Sequence, residues 1–209
     1  MDWHTALRTL EQGNARFAGG ATPAAHTQER RQALLETQTP LAAVLGCADS
    51  RVPPEIIFDV GLGDLFVVRV AGHVLDETIA ASLGFAVETL GVPVVVVLGH
   101  EGCAAVRAAL APENSPTWLR PVTARVAAAA ALAEKPENRG KKNRGKAAEE
   151  PNALDAAIEA HALQVAAAVA RVAVVRPHLA SGRARVLPAV YSLRSGLVRW
   201  LATPDPTAP

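Results

Sequence analysis

The sequence predicts an α/β fold in which a mostly parallel central sheet is flanked by helices, and three features carry that prediction. After Pro40 the chain holds short Val-rich apolar runs at residues 41–45, 65–70 and 94–98. They are continuous instead of alternating, as in strands covered on both faces. Between the second and third runs, Ile79, Leu83, Ala86, Val87 and Leu90 recur at helical spacing. Strand, helix and strand in that order form a right-handed parallel crossover. Finally, Ala-rich helical stretches follow the third run, enough to cover the sheet.

The elements are predicted in order as follows. Residues 3–17 place Leu7, Leu10 and Phe17 on a helical period closed by Gly19-Gly20, and a second helix covers 27–36. Together they make an N-terminal helical arm over residues 1–36. An α/β domain then occupies 37–202, with helices over 77–90, 104–110, 122–132 and 154–175. The stretch 134–152 is polar and carries Arg139, Lys141, Lys142, Arg144 and Lys146, and it reads as a solvated connector. Residues 185–193 and 197–201 flank Arg194-Ser195-Gly196, a closing hairpin or strand pair, and the Pro-rich residues 203–209 form a tail.

Composition narrows the function. The chain has 209 residues, 50% hydrophobic and 20% charged, which excludes disorder as the main state. Its 21 Lys and Arg balance 20 Asp and Glu, removing the electrostatic case for nucleic acid. No uninterrupted apolar run reaches the roughly 18 residues of a membrane span, so a soluble protein is expected. The N-terminus Met1-Asp2-Trp3-His4-Thr5 shows neither the basic region nor the apolar stretch of a secretory signal, so the expected location is the cytoplasm, where disulfides are rare. The 2 cysteines, Cys47 and Cys103, are then either small buried hydrophobes or present for thiolate chemistry.

Their positions favour chemistry. Both follow predicted parallel strands, in Leu41-Ala-Ala-Val-Leu-Gly-Cys47 and Val94-Val-Val-Val-Leu-Gly-His-Glu-Gly-Cys103. That rim of an open parallel sheet is where ligands bind. His100 and Cys103 have the spacing of neighbours on one helical turn, if that segment opens the helix after the strand. With Cys47 they make a Cys₂His donor set, suited to zinc with a fourth position open for water. Asp49 in Cys47-Ala-Asp-Ser-Arg51 can accept a hydrogen bond from a metal-bound water or displace that water and coordinate the ion itself. Arg51 can grip it with a planar fork and keep it ionised.

Cys47-Ala-Asp-Ser-Arg51 followed by Gly99-His-Glu-Gly-Cys103 resembles the paired signature of the β-class carbonic anhydrases. So do Arg51-Val-Pro-Pro-Glu-Ile-Ile-Phe-Asp59, Gly61-Leu-Gly-Asp-Leu-Phe-Val-Val-Arg-Val-Ala-Gly72, Ala86-Val-Glu-Thr-Leu-Gly-Val-Pro93 and Leu10-Glu-Gln-Gly-Asn-Ala-Arg-Phe17. The resemblance is strong from residue 7 to 110 and weaker beyond. It implies four parallel strands with a fifth antiparallel edge strand, and one zinc per chain on Cys47, His100 and Cys103. It further implies reversible hydration of carbon dioxide to bicarbonate and a proton, with Asp49 and Arg51 as the catalytic dyad orienting hydroxide. Gln38, Phe66 and Phe85 match substrate-pocket positions, Phe85 where a Tyr is common. A homodimer or a dimer of dimers is implied, with residues reaching in from the neighbouring subunit.

Departures from the family pattern bear on regulation. Arg69 and Tyr191 match two residues of an allosteric bicarbonate site found in some members, but the matching Trp is replaced by Val44, so no such site is expected. Ala104 stands for a common Gly, Pro188 for another, and His73 for a frequent Asn, where a hydrogen-bonding role is favoured over proton transfer. Because two thiolates formally cancel the charge of zinc, activity is expected to rise toward alkaline pH. Some relatives act on carbonyl sulfide or carbon disulfide, and the sequence does not distinguish these substrates.

Overall fold

The computed structural model describes residues 1–21, 27–133 and 153–202. The predicted connector at 134–152 and the tail at 203–209 lie outside the described residues. The N-terminal helix α1 (Trp3–Ala18) begins where the Asp2 carboxylate accepts the Thr5 amide hydrogen at 2.8 Å, satisfying an otherwise unpaired first-turn donor. Its buried stripe is Ala6, Leu10, Gly13 and Asn14. Asn14 ties the helix to the body: its amide donates to the Ile57 carbonyl at 3.1 Å and the Gly196 carbonyl at 2.8 Å, and its oxygen accepts from Val198 N–H at 2.8 Å. A short helix α2 (Gln28–Ala33) follows.

The sheet contains β1 (Ala42–Gly46), β2 (Leu65–Arg69), β3 (Val94–His100), β4 (Arg185–Tyr191) and β5 (Val198–Trp200) in the spatial order β2-β1-β3-β4-β5. The first four are parallel and β5 is antiparallel to β4, so the sheet is mixed only at one edge. The crossover from β2 to β3 passes through α4 (Glu77–Glu88), capped by Asp76 accepting from Ile79 N–H at 2.9 Å, and it steps over β1, which lies between the two strands. The remaining helices are α3 (Pro54–Ile57), α5 (Ala104–Leu110), α6 (Arg120–Ala133), α7 (Ala153–Ala170) and α8 (Arg176–Ala180).

Every residue of β1 and β3 is buried, as their unbroken apolar runs require. Alternate side chains feed opposite clusters. Val44, Val94, Val96 and Leu98 pack with Leu10, Phe58, Cys103 and Val106, while Ala43, Leu45, Val95 and Val97 pack with Leu83, Val87, Val165 and Val169. Helix α7 is long and apolar enough by length and composition to cross a membrane, with mean hydropathy 1.3 over 18 residues. Asp155, Glu159 and Gln164 interrupt its apolar texture, so it contains no uninterrupted apolar run of that length. Here its Ile158, His161, Ala162, Val165 and Val169 are buried, and it serves as a core helix against β3 and β4.

The helix expected over 154–175 ends instead at Ala170, and α8 starts separately with Pro177 in its first turn. Proline suits that position because its missing N–H would be unpaired there anyway. Helix α3, four residues long with Pro54 at its start, was not anticipated, since a single turn has no period to read.

Two predictions follow from this packing. A Cβ at Gly13 would lie 1.8 Å from the Phe58 carbonyl oxygen, an approach only glycine permits. Gly13→Ala should therefore lower the unfolding free energy by about 2 kcal/mol or more in a urea titration. The second concerns His73 and His161, whose side chains are buried and whose ring centroids are 4.6 Å apart. Burial pushes both imidazoles below the ordinary histidine value, with the neighbouring histidines adding to the effect at His73. The unfolded chain binds protons near pH 6.5 and the folded chain resists them until lower pH, so stability is full above about 6.5 and falls on acidification. His73 also holds a φ of 39°, a left-handed value that Asn tolerates well. His73→Asn should reduce the acid-side slope of unfolding free energy against pH, by up to about 1.4 kcal/mol per pH unit.

Candidate metal centre

Strands β1 and β3 are neighbours, yet the chain leaves β1 toward β2 on one side and leaves β3 toward β4 on the other. The connections that leave their carboxyl ends therefore diverge, and the crevice at such a point is the preferred ligand position of a parallel sheet. The site occupies it. Cys47 is the first residue after β1, His100 is the last of β3, and Cys103 caps the N-terminus of α5. The sulfur, nitrogen and sulfur atoms they offer all lie within 4.8 Å of one another, and all three residues are buried.

One expectation needs correction. His100 and Cys103 do not share a helical turn: His100 is still in the strand, and Glu101-Gly102 make a turn before the helix starts. Gly102 adopts a φ of 65°, which lets the chain reverse sharply enough to bring Cys103 back beside the strand end. The donors converge through a strand-turn-helix corner instead of helical spacing.

Protonation prepares the set for a cation. The Nδ1 of His100 lies 2.9 Å from the Glu101 carbonyl oxygen, an acceptor only, so Nδ1 carries the hydrogen and Nε2 presents its lone pair. That Nε2 is buried and has no hydrogen-bond partner among the described residues. A buried imidazole nitrogen left bare beside two sulfurs fits a metal ligand. The Cys103 thiol donates to Cys47 and holds the Cys47 thiol far below its ordinary value, with smaller contributions from His100 and the backbone N–H groups of Asp49 and Gly72. The same bond, with burial, pushes Cys103 upward. The two thiols are thus pushed in opposite directions, Cys47 toward the thiolate that a cation binds.

The loop after β1 is held rigidly. Arg51 donates from Nε to Asp49 Oδ1 at 2.9 Å and from Nη2 to Oδ2 at 2.7 Å, a fork on both oxygens, and its backbone N–H adds 3.0 Å to Oδ1. Those hydrogen bonds from Arg51 hold the Asp49 carboxyl well below the usual carboxylate range, against a smaller opposing effect of burial. Asp49 is 16% exposed and Arg51 55%, so the pair stands at the mouth of the crevice. Arg69 grips the loop from β2, donating to the Cys47 carbonyl at 2.9 Å and to the Asp49 carbonyl. Gly72 N–H donates to Cys47 Sγ at 3.3 Å.

Among the predicted pocket residues, Phe66 on β2 and Phe85 on α4 meet with ring centroids 6.2 Å apart, and Phe85 is 47% exposed. Gln38 is exposed between α2 and β1, and among the described residues no hydrogen bond joins it to the cluster. Tyr191 ends β4 opposite His100 and is buried, while Arg69 is engaged with backbone carbonyls. The contacts of Arg69 and Gly72 with Cys47 join residues 22 and 25 positions apart, and no local motif announces them.

A family model described as carbonic anhydrase matches residues 42–198. Carbonic anhydrase 2 of Mycobacterium tuberculosis is 50% identical over 127 residues, covering 58% of this chain and 61% of that protein. A carbonic anhydrase of Mycolicibacterium smegmatis is 53% identical over 107 residues, covering 50% and 52%. The chain thus aligns with less than two thirds of either relative's length. Among solved structures, the β-carbonic anhydrase CafA of Aspergillus fumigatus superposes with a TM-score of 0.73 at 25% identity, covering 97% of this chain and 92% of that one. With its Cys47, His100 and Cys103 gathered in the crevice of a sheet of four parallel strands and one antiparallel strand, the chain belongs to the β class of the carbonic anhydrase family.

Proposed function

We propose that this protein catalyses the reversible hydration of carbon dioxide to bicarbonate and a proton, with one zinc ion held by Cys47, His100 and Cys103. The observation that carries the reading is the bare, buried Nε2 of His100 beside two sulfurs, all within 4.8 Å, next to a carboxylate locked by an arginine fork. When bound, zinc supplies a Lewis acid that brings the pKa of water from about 15.7 toward about 7.

The chain's own residues do the rest. Asp49 stays ionised, so its oxygens only accept, and it orients the attacking water by taking a hydrogen bond from its O–H. Arg51 occupies both oxygens of Asp49, which supports an orienting role over direct coordination of the ion. Arg51 is the positioning residue, and its bidentate bonds hold the carboxylate plane at the mouth of the crevice. Phe66 and Phe85 supply an apolar wall for an uncharged, linear substrate, and Gln38 supplies an amide donor toward bicarbonate when a second copy of the chain completes the pocket. The oxygen added to carbon comes from water, one proton passes to buffer, and the remaining proton stays on bicarbonate.

Metal analysis with stopped-flow hydration tests this. Wild-type protein should hold one zinc per chain and hydrate carbon dioxide, and Cys47→Ser should lose both properties. A Cys47→Ser protein with full activity, or zinc-loaded wild type with negligible hydration, contradicts the assignment. Asp49→Asn should retain zinc while hydration falls roughly a hundredfold or more, because the amide reverses a donor and an acceptor where only an acceptor serves. Unchanged hydration in Asp49→Asn removes Asp49 from the reaction.

A further inference from the structure

His161 lies on α7, far along the chain from every residue of the metal centre and outside the paired signature. It is 1% exposed, and its Nε2 lies 2.7 Å from the carbonyl oxygen of Gly72. A carbonyl only accepts, so Nε2 carries the hydrogen and donates. On its other side Gly72 donates its N–H to Cys47 Sγ at 3.3 Å. One residue thus joins a helix-borne imidazole to a sulfur of the centre through two buried hydrogen bonds.

That residue sits in a turn, Ala71–His73, that needs holding. Gly72 has a φ of 67° and His73 a φ of 39°, two consecutive left-handed residues, the second with a side chain that disfavours the conformation. Such geometry persists when tertiary contacts impose it. On one side Ala105 closes against the turn, since a Cβ on Gly72 would lie 3.0 Å from the Ala105 Cβ. On the other side the His161 hydrogen bond holds the peptide, and the His161 ring packs against His73 with centroids 4.6 Å apart.

We infer that His161 is a positioning residue for the metal centre: by anchoring the Gly72 carbonyl it keeps the Gly72 N–H aimed at the Cys47 sulfur. An N–H directed at a thiolate draws charge from the sulfur and fixes the direction of its lone pairs, so the sulfur meets a metal ion in one orientation. Outer partners of this kind tune a bound metal and its retention. The inference rests on the reading of Cys47 as a ligand, and it adds α7 to the machinery that shapes the centre.

The test uses zinc-loaded protein for release to an excess of chelator, and cobalt-substituted protein for the sulfur-to-metal charge-transfer band. His161→Leu keeps an apolar side chain of similar size and deletes the donor. It should release zinc roughly tenfold faster or more than wild type, with the band moved to longer wavelength as the sulfur gains charge. His161→Gln places an amide N–H where Nε2 was, and it should restore both properties toward wild type. A purely structural role would lower the melting temperature in both variants and leave the band in place. A folded His161→Leu with wild-type release and band overturns the inference, as does a Gln variant that behaves like Leu. If His161→Leu does not fold, His161→Asn, too short to reach Gly72, is compared with Gln: a defect in Asn alone supports the inference, and equal behaviour overturns it. Wild-type protein that binds no zinc, or Cys47→Ser that still binds it, overturns the reading of the centre itself and the inference with it. Zinc-binding wild type with indifferent His161 variants overturns the inference alone.

Discussion

The parallel pairing of β1 with β3 is the constraint on which the rest depends. Its register sets Gly46 beside Leu98, so the next residue of one strand and the last residue of the other, Cys47 and His100, emerge on the same rim. Parallel strands end together, whereas antiparallel neighbours would send these two side chains to opposite edges of the sheet. The third donor then needs only a sharp turn, which Gly102 provides with its left-handed backbone. Complete burial of both strands makes this register costly to shift, because a slip by one residue would exchange every side chain between the two clusters.

Around that rim the chain spends most of its local polarity on fixing one loop. Arg51 and Arg69 approach the Cys47–Asp49 segment from different sides, the first bonding the carboxylate and the second the backbone carbonyls. The arrangement separates two tasks. The carboxylate stays charged and forward-facing, while Cys47 keeps its sulfur turned inward to the Gly72 N–H. The buried histidines complete it by being neutral: burial holds both imidazoles in the uncharged form, reinforced at His73 by the neighbouring histidines and opposed at His161 by the Gly72 carbonyl and Cys47. Only His161 of the two contributes a directed hydrogen bond, to the Gly72 carbonyl; the hydrogen-bonding role expected of His73 is not met, since neither of its buried ring nitrogens has a partner among the described residues.

Much of this was legible in the residues. Continuous Val-rich runs located β1, β2 and β3 to within a residue or two; β1 and β3 are buried throughout, as such runs imply, whereas the edge strand β2 is only partly buried. The donor set was legible because Cys47, His100 and Cys103 each follow or end such a run. The features that differ from expectation are those with no periodic signal or with partners in other elements. The path from His100 to Cys103 was read as helical spacing, although a glycine turn achieves the convergence. The break after Ala170 was hidden by an apolar texture that continues to Val175, and the single turn of α3 had no periodicity to detect. His161 and Arg69 act on partners in other elements, and pairing across such separations is created by the packing of α7 and β2, to which no short stretch of sequence refers.

Under the proposed function, two sulfurs and one imidazole surround a single ion with one place left for solvent. Zinc-edge X-ray absorption of the purified protein measures that shell directly. Two sulfurs at about 2.3 Å and one nitrogen at about 2.0 Å, with one further light atom, are expected. A shell with fewer than two sulfurs, or one completed by a second protein nitrogen, would contradict it.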